Sequence, residues 1–215
     1  LVRFSPDGAS VDMKYAESVE PNDDFTVWTI TLRKGSKWSD GSPFTADDIM
    51  FWFDDVINNA ELTPARPSWL VNTDGTPVQV EKIDDLSVKF IFTAPQTLFL
   101  QEIAQKDNGD KLIPMFLPSA YLKQFHVSYA DKATLDKAVA DASFNTWTEL
   151  FVLKQNPFDN PDRPVMAAWK SVNRISDEIF VMARNPYYVG VDTEGNQLPY
   201  MDEVQFKFFA DAQAL

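Results

Sequence analysis

The sequence predicts an α+β fold in which a mixed or antiparallel sheet packs against helices. Three observations predict it: apolar and polar residues alternate over Trp28–Arg33, they alternate again over Leu86–Thr93, and a capped amphipathic helix lies between, over 45–57. Alternation with a period of two is typical of a half-buried strand, and a period of 3.6 is typical of a helix with one buried face.

Composition bounds the size and the partners of the chain. It has 215 residues, 45% hydrophobic and 13% aromatic, which is enough for a core in one large domain or two small ones. Its formal net charge of −13 argues against nucleic acid or an anionic membrane surface as a partner. Without cysteine it has no disulfide and no thiolate metal site. We find no run of about 18 apolar residues that would span a membrane.

The first elements are strands. Leu1–Phe4 is apolar and predicts a short strand, and Tyr15–Val19 predicts a second. In the central strand the side chains of Trp28, Ile30 and Leu32 share one face. The polar residues 34–37 and 40–43 follow it, and both stretches contain glycine, so we expect two turns there.

The helix predicted over 45–57 has Thr45 as its N-cap and two acidic residues in its first turn. Its apolar arc consists of Ala46, Ile49, Met50, Trp52, Phe53, Val56 and Ile57. Its opposite arc carries Asp47, Asp48, Asp54 and Asp55, which we expect to be solvent-exposed. Phe51 falls in the middle of that acidic arc. Either it packs against a loop or another lobe, or it faces a ligand at the mouth of a cleft.

A loop and a hairpin follow the helix. Prolines, asparagine and glycine over 60–76 predict a loop, and Val78–Ile83 with Leu86–Thr93 predicts a β-hairpin. Trp69 in this loop has no obvious core role, and it would suit stacking on a sugar or a peptide side chain. Residues 72–75 do not have the spacing of acidic ligands that a calcium loop needs, so we predict no metal site.

The second half of the chain predicts four helices, a linker and several strands. The helices are expected from Thr97, over 118–124, over 131–142 and over 145–153, and the proline-rich stretch 154–164 is the best linker candidate. The strand-like runs are 111–115, 165–169, 179–183 and 203–209.

No set of residues predicts catalysis. His126 is the only histidine, and a lone histidine in a loop is more often a surface or hydrogen-bonded residue than a catalyst. The 32 acidic residues make carboxylate pairs unavoidable, and those on an exposed helix face lack the raised pKa and fixed separation that glycoside hydrolysis requires. We find no phosphate loop, nucleophile elbow or zinc spacing. The sequence therefore predicts a protein that is not an enzyme and that holds neither a cofactor nor a metal.

Three stretches of the chain resemble two signatures of a known family. The stretch LRKGSKWSDGSPFTADDIMFWF, residues 32–53, closely resembles the signature of the family 5 extracellular solute-binding proteins. These are the oligopeptide- and dipeptide-binding components of ABC importers. ARNPYY at 183–188 and GNQLPYMDEVQFKFFAD at 195–211 resemble the second signature of that family. The inserted GNQLPY is typical of larger members, some of which bind oligosaccharides.

The resemblance implies a fold, a location and partners. Residues 1–155 would form the small extra α+β lobe of a class II periplasmic-binding-protein-like fold, and 156–215 would be strands of the adjoining ligand-binding lobe. The chain would be a fragment, monomeric by itself, of an extracytoplasmic protein that is periplasmic or held at the cell surface by a lipid anchor. That protein would bind a small-molecule solute and dock on the ABC permease. In the family, the helix position that matches Phe51 holds an aromatic residue that looks into the binding site.

Peptide is the solute that the resemblance implies first, and oligosaccharide is the alternative within the family. A secreted hydrolase or a carbohydrate-binding accessory domain is the rival from another class. The chain starts at Leu1 within an apolar stretch and ends at Ala214-Leu215, so we expect it to be an excised piece of a longer protein.

Overall fold

The computed structural model describes residues 1–106 and 115–208. The chain forms two compact units. The first contains Leu1–Ser36 and the described part of Pro43–Ser119, and the second contains Lys37–Ser42 and the described residues from Ala120 onward. Helices are combined with antiparallel sheets, which confirms the predicted α+β class. Most of the strand predicted over 111–115 and the end of the strand predicted over 203–209 lie outside the described residues.

The first unit is built on a four-stranded antiparallel sheet. Its strand order is β3-β4-β6-β5, with the bounds β3 Ala16–Pro21, β4 Val27–Leu32, β5 Gln79–Lys82 and β6 Ser87–Ile91. A separate hairpin pairs β1 Val2–Phe4 with β2 Val11–Met13. Trp28 lies opposite Phe90, and Ile30 lies opposite Val88. All four are buried, so the alternation in the sequence correctly predicts the core face of both central strands.

The helices of the first unit differ from the prediction at two points. They are α1 Ala46–Met50, a π-helical segment Phe51–Ile57, a 3-10 turn Ser68–Leu70 and α2 Phe99–Lys106. The predicted helix is therefore α-helical only as far as Met50. The helix expected from Thr97 begins only at Phe99, where Leu98 is 65% exposed and Phe99 is buried. The ring of Phe99 lies 5.2 to 5.4 Å from the rings of Trp28, Phe90 and Phe92, and this aromatic contact sets the rotation of the helix.

The later helices agree with the prediction more closely than the strands do. The helices are α3 Ser119–Leu122, a 3-10 turn Lys123–Phe125, α4 Lys132–Asp141 and α5 Trp147–Gln155. The strands β7 Trp169–Ser171, β8 Ile179–Arg184 and β9 Glu203–Lys207 form one antiparallel sheet in chain order. The strand predicted over 165–169 is wrong, because the strand begins only at Trp169. No helix within residues 1–106 and 115–208 has both the length and the apolar character needed to cross a membrane.

The stretch predicted as a linker, 154–164, is a folded part of the second unit. Its turns bury Asn160 and Arg163, which are 5% and 8% exposed. The Asn160 side chain donates to the carbonyl of Lys154 at 2.8 Å, and the Arg163 backbone N–H donates to the carbonyl of Asn160 at 3.1 Å. The predicted lobe boundary between residues 155 and 156 concerns the lobes of a whole protein and stays a prediction.

Candidate ligand-binding site

Phe51 is buried inside the first unit. Its side chain is 2% exposed, and the neighbouring Trp52 and Phe53 are buried as well. The Asn58 N–H donates to the carbonyl of Phe53 at 2.9 Å, a π-type bond between residues five apart. This wider turn ends the 3.6-residue periodicity on which the predicted faces rest. The burial favours packing for Phe51, and its contact with a ligand stays a prediction.

The acidic face of this helix is also covered at Asp48, against our expectation of exposure. Asp48 is 3% exposed, and its Oδ1 accepts from the backbone N–H and the hydroxyl of Ser119 at 2.9 and 2.7 Å. Its Oδ2 accepts from the N–H of Thr45 at 3.1 Å, which completes a capping box. Asp47 and Asp54 do remain exposed. Asp48 therefore fastens the first turn of α1 to a segment 71 residues further along the chain.

Trp69 is half-buried in the loop between the π-helical segment and β5. Its ring stacks on Trp52, with the centroids 6.1 Å apart and the planes at 16°. In the same loop the guanidinium of Arg66 lies 5.8 Å from the ring centroid of Phe53 and donates to the side chain of Asn58. The structure thus places Trp69 against the helix that carries Phe51, and it leaves part of the Trp69 surface open.

The two sequence signatures meet within the second unit. The N–H of Ser39 donates to the carbonyl of Val165 at 3.0 Å, and the Ser39 hydroxyl accepts from the Val165 N–H at 3.0 Å. The amide of Asn185 reaches the same carbonyl at 3.3 Å, and the ammonium of Lys37 lies 5.2 Å from the ring centroid of Tyr187. Sequence reasoning missed this contact, because residues 126 positions apart show no common pattern.

His126 is buried in an aromatic cluster of the second unit, with 1% of its surface exposed. Its ring centroid lies 4.9 Å from that of Trp147 and 5.6 Å from that of Phe151, both edge-on. Its Nδ1 accepts from the N–H of Ser128 at 3.3 Å. These contacts agree with the expectation of a hydrogen-bonded histidine and give it a place in the core.

A polar cluster in the second unit was not predicted. The amide of Asn160 donates to the hydroxyl of Tyr121 at 2.9 Å, and burial raises the pKa of that phenol. Nearby, Nη1 of Arg163 donates to the carbonyl of Pro164 at 3.1 Å, and its Nε has no hydrogen-bond partner among the described residues. Burial lowers the pKa of Arg163 to about 10, so the guanidinium stays charged at neutral pH. In the sequence, this cluster is indicated only by an arginine that lies between two prolines of the predicted linker.

Several known proteins are similar to this chain, two of them in fold and sequence and one in sequence. The solved structure of an oligopeptide-binding protein OppA is 35% identical with a TM-score of 0.87, over 100% of this chain and 32% of that one. The periplasmic binding protein MelB from Agrobacterium fabrum C58, in complex with stachyose, is 30% identical with a TM-score of 0.71, over 97% of this chain and 29% of that one. The periplasmic alpha-galactoside-binding protein of Rhizobium meliloti (strain 1021) is 33% identical over 89% of this chain and 25% of its own length.

These similarities define the chain as part of a periplasmic-binding-protein fold. A model described as bacterial extracellular solute-binding proteins, family 5 Middle, matches residues 11–215. The chain therefore belongs to family 5 of the bacterial extracellular solute-binding proteins. It spans between a quarter and a third of the length of the relatives above.

Proposed function

We propose that the whole protein captures a solute outside the cytoplasm and delivers it to the permease of an ABC importer. The match of the family model over residues 11–215 carries this proposal. The proposed location is the periplasm, or the cell surface through a lipid anchor.

Peptide is the solute that we propose first. The support is the similarity to the oligopeptide-binding protein OppA, which extends over 100% of the chain at a TM-score of 0.87. Oligosaccharide is the second candidate. It is favoured by the relative named for alpha-galactoside binding and by the structure that holds stachyose. Both candidates belong to one mechanism, in which the solute stabilises a closed arrangement of lobes that the permease recognises.

We further propose the lobe assignment of the sequence analysis, with residues 1–155 in the small lobe and 156–215 in the adjoining one. The support is that β7, β8 and β9 pair only with each other among the described strands. Of the two candidate ligand contacts, Trp69 is the better supported, because it keeps open surface while Phe51 is 2% exposed. We assign no catalytic role to any residue.

Isothermal titration of the full-length protein tests the solute class. The probes are trialanine and pentaalanine for peptides, and raffinose and stachyose for oligosaccharides. Micromolar binding of one class and not the other supports that class. The rival reading as a hydrolase requires products to accumulate from a probe, so each mixture is also analysed by chromatography. Hydrolysis, or the absence of binding by all four probes, would contradict the proposal.

A further inference from the structure

Arg163 is a buried positive charge that the described part of the second unit does not neutralise. The residue is 8% exposed, and no carboxylate in residues 1–106 and 115–208 forms an ion pair with it. Within the part of the chain that the structure describes, its side chain makes one hydrogen bond, from Nη1 to the carbonyl of the adjacent Pro164, and its buried Nε makes none. A guanidinium carries five N–H donors, so most of its binding capacity is unused.

This arrangement is unfavourable unless an anion completes it. Charged groups are costly to remove from water, and proteins pair them when they bury them. The nearby phenol of Tyr121 supplies no negative charge, since burial raises its pKa. Water could satisfy the carbonyl of Pro164 equally well. The hydrogen bond to that carbonyl therefore does not by itself explain an arginine at this position.

The neighbours of Arg163 hold it in place. Its backbone N–H is bonded to the carbonyl of Asn160, and the Asn160 side chain is fixed in turn by the carbonyl of Lys154 and the hydroxyl of Tyr121. Asn160 is itself 5% exposed. The planar fork of a guanidinium matches a carboxylate in two parallel hydrogen bonds, and a fixed backbone preserves that match.

We propose that Arg163 is one half of a carboxylate-binding site. The carboxylate comes from the bound solute, or from an acidic residue of the parent protein beyond the 215 residues of this chain. Only the first source rests on the proposed function, because the second requires no solute.

The test uses the full-length protein with Arg163→Met, which keeps the length of the side chain and removes its charge. Arg174→Met is the matched control, because Arg174 is an exposed arginine of the same unit. Two quantities are measured for each variant: the Tm without solute, and the affinity for trialanine and for its C-terminal amide. The amide lacks the free carboxylate and is otherwise the same peptide.

If the solute supplies the carboxylate, Arg163→Met weakens binding of trialanine by about 30-fold or more and changes binding of the amide much less, since a buried charge has lost its partner. If the protein supplies it, Arg163→Met lowers the Tm below that of Arg174→Met and leaves both affinities unchanged. Either result supports the site and identifies the source.

An unchanged or higher Tm together with unchanged affinities overturns the proposal. If the wild-type protein binds neither probe, the peptide candidate fails and the Tm comparison alone decides: a drop supports the site and no drop overturns it. Should Arg163→Met fail to fold, Arg163→Lys takes its place in both measurements, because it keeps the charge and loses the planar fork.

Discussion

Ser143 has a backbone conformation that glycine adopts more easily. Its φ is 60°, and it follows α4, with its N–H bonded to the carbonyl of Ala140 and the Phe144 N–H bonded to that of Val139. This is a Schellman motif, whose left-handed position usually holds glycine. We expect Ser143→Gly to raise the free energy of unfolding by about 1 kcal/mol, because the Cβ penalty disappears. Urea denaturation measures it. Ser143→Ala keeps the Cβ, and an equal gain from alanine would contradict the explanation.

Asp192 shows how neighbouring donors set the charge state of an exposed carboxylate. It accepts from the hydroxyl of Tyr200, and from the side chain and backbone N–H of Asn196 at 2.9 and 2.8 Å. These bonds, that of Tyr200 foremost, hold the pKa of Asp192 well below its usual range. Tyr200→Phe should therefore raise the pKa of Asp192, as followed by the carboxyl ¹³C shift in an NMR titration.

Folding stability depends on pH through this lowered pKa of Asp192. Because the pKa of Asp192 is lowered in the folded state, its contribution to stability is present above the unfolded pKa and is lost as the pH falls toward the folded one. Tyr200→Phe should thus reduce the loss of stability on acidification. Tyr187→Phe is the control, because the Tyr187 hydroxyl makes no bond to Asp192, and an equal pKa change in both variants would refute the assignment.

We expect substitutions to show that Phe51 is a core residue and that Trp69 is a ligand contact. Phe51→Ala removes a ring that is 2% exposed, and we expect it to lower the free energy of unfolding by about 3–5 kcal/mol. Trp69→Ala removes a half-buried ring, and in the full-length protein we expect it to weaken solute binding by roughly tenfold. Urea denaturation and isothermal titration measure the two effects. Unchanged affinity in Trp69→Ala would remove Trp69 from the site.

At the scale of one element, α1 depends on a buried carboxylate. The Asp48 carboxylate accepts from the backbone N–H and the hydroxyl of Ser119 and from the backbone N–H of Thr45. Asp48→Ala leaves the buried donors of Ser119 and the half-buried N–H of Thr45 without this acceptor, and we expect it to cost about 3 kcal/mol in free energy of unfolding. Asp47→Ala is the control, since Asp47 is exposed and its ion pair with Lys82 contributes less than about 1 kcal/mol. Equal costs in urea denaturation would contradict the role of Asp48.

The elements that could be predicted from sequence are those whose signal is local. The alternation in β4 and β6 and the cap at Thr45 each depend on a few adjacent residues, and the structure confirms them. The π-helical segment after Met50 could not be predicted, because its sequence fits an α-helix equally well. The burial of Asp48 is set by Ser119, which is remote in sequence, so an acidic residue on a polar arc was wrongly expected to be exposed.

The prediction of a linker over 154–164, which was based on composition, was wrong for a related reason. Prolines and asparagines favour turns, and turns are usually exposed, so the stretch was predicted to be a linker. Asn160 and Arg163 are nevertheless buried. The Asn160 amide bonds to the carbonyl of Lys154 and to Tyr121, whereas among the described residues the Arg163 side chain bonds only to the carbonyl of Pro164. The candidate site around Arg163 therefore had no signature in the sequence, whereas the aromatic candidates Phe51 and Trp69 did.

For the molecule as a whole, the units do not follow one cut in the sequence. Lys37–Ser42 belongs to the second unit, although the residues on both sides of it belong to the first. The hydrogen bonds between Ser39 and Val165 hold this short stretch within the second unit. The stretch that carries the family signature therefore belongs to both units. Its strand and helix residues are in the first unit, and its polar turn is in the second.

The length of the chain relative to its relatives leads to a last prediction about binding. We expect the 215-residue chain alone to bind trialanine and stachyose with a Kd weaker than millimolar. Micromolar affinity corresponds to about 8 kcal/mol, whereas burying one aromatic side chain contributes about 1.5–3 kcal/mol. Phe51 has almost no surface left to bury, and Trp69 already gives one face to Trp52. The two named candidate contacts therefore cannot supply that free energy.

Isothermal titration of the isolated chain, beside the full-length protein under the same conditions, measures this difference. Circular dichroism first verifies that the isolated chain is folded, so that weak binding is not mistaken for unfolding. A micromolar Kd for either probe on the isolated chain would mean that the solute site lies within these residues. The proposal that the chain contributes only part of a larger binding site would then be wrong.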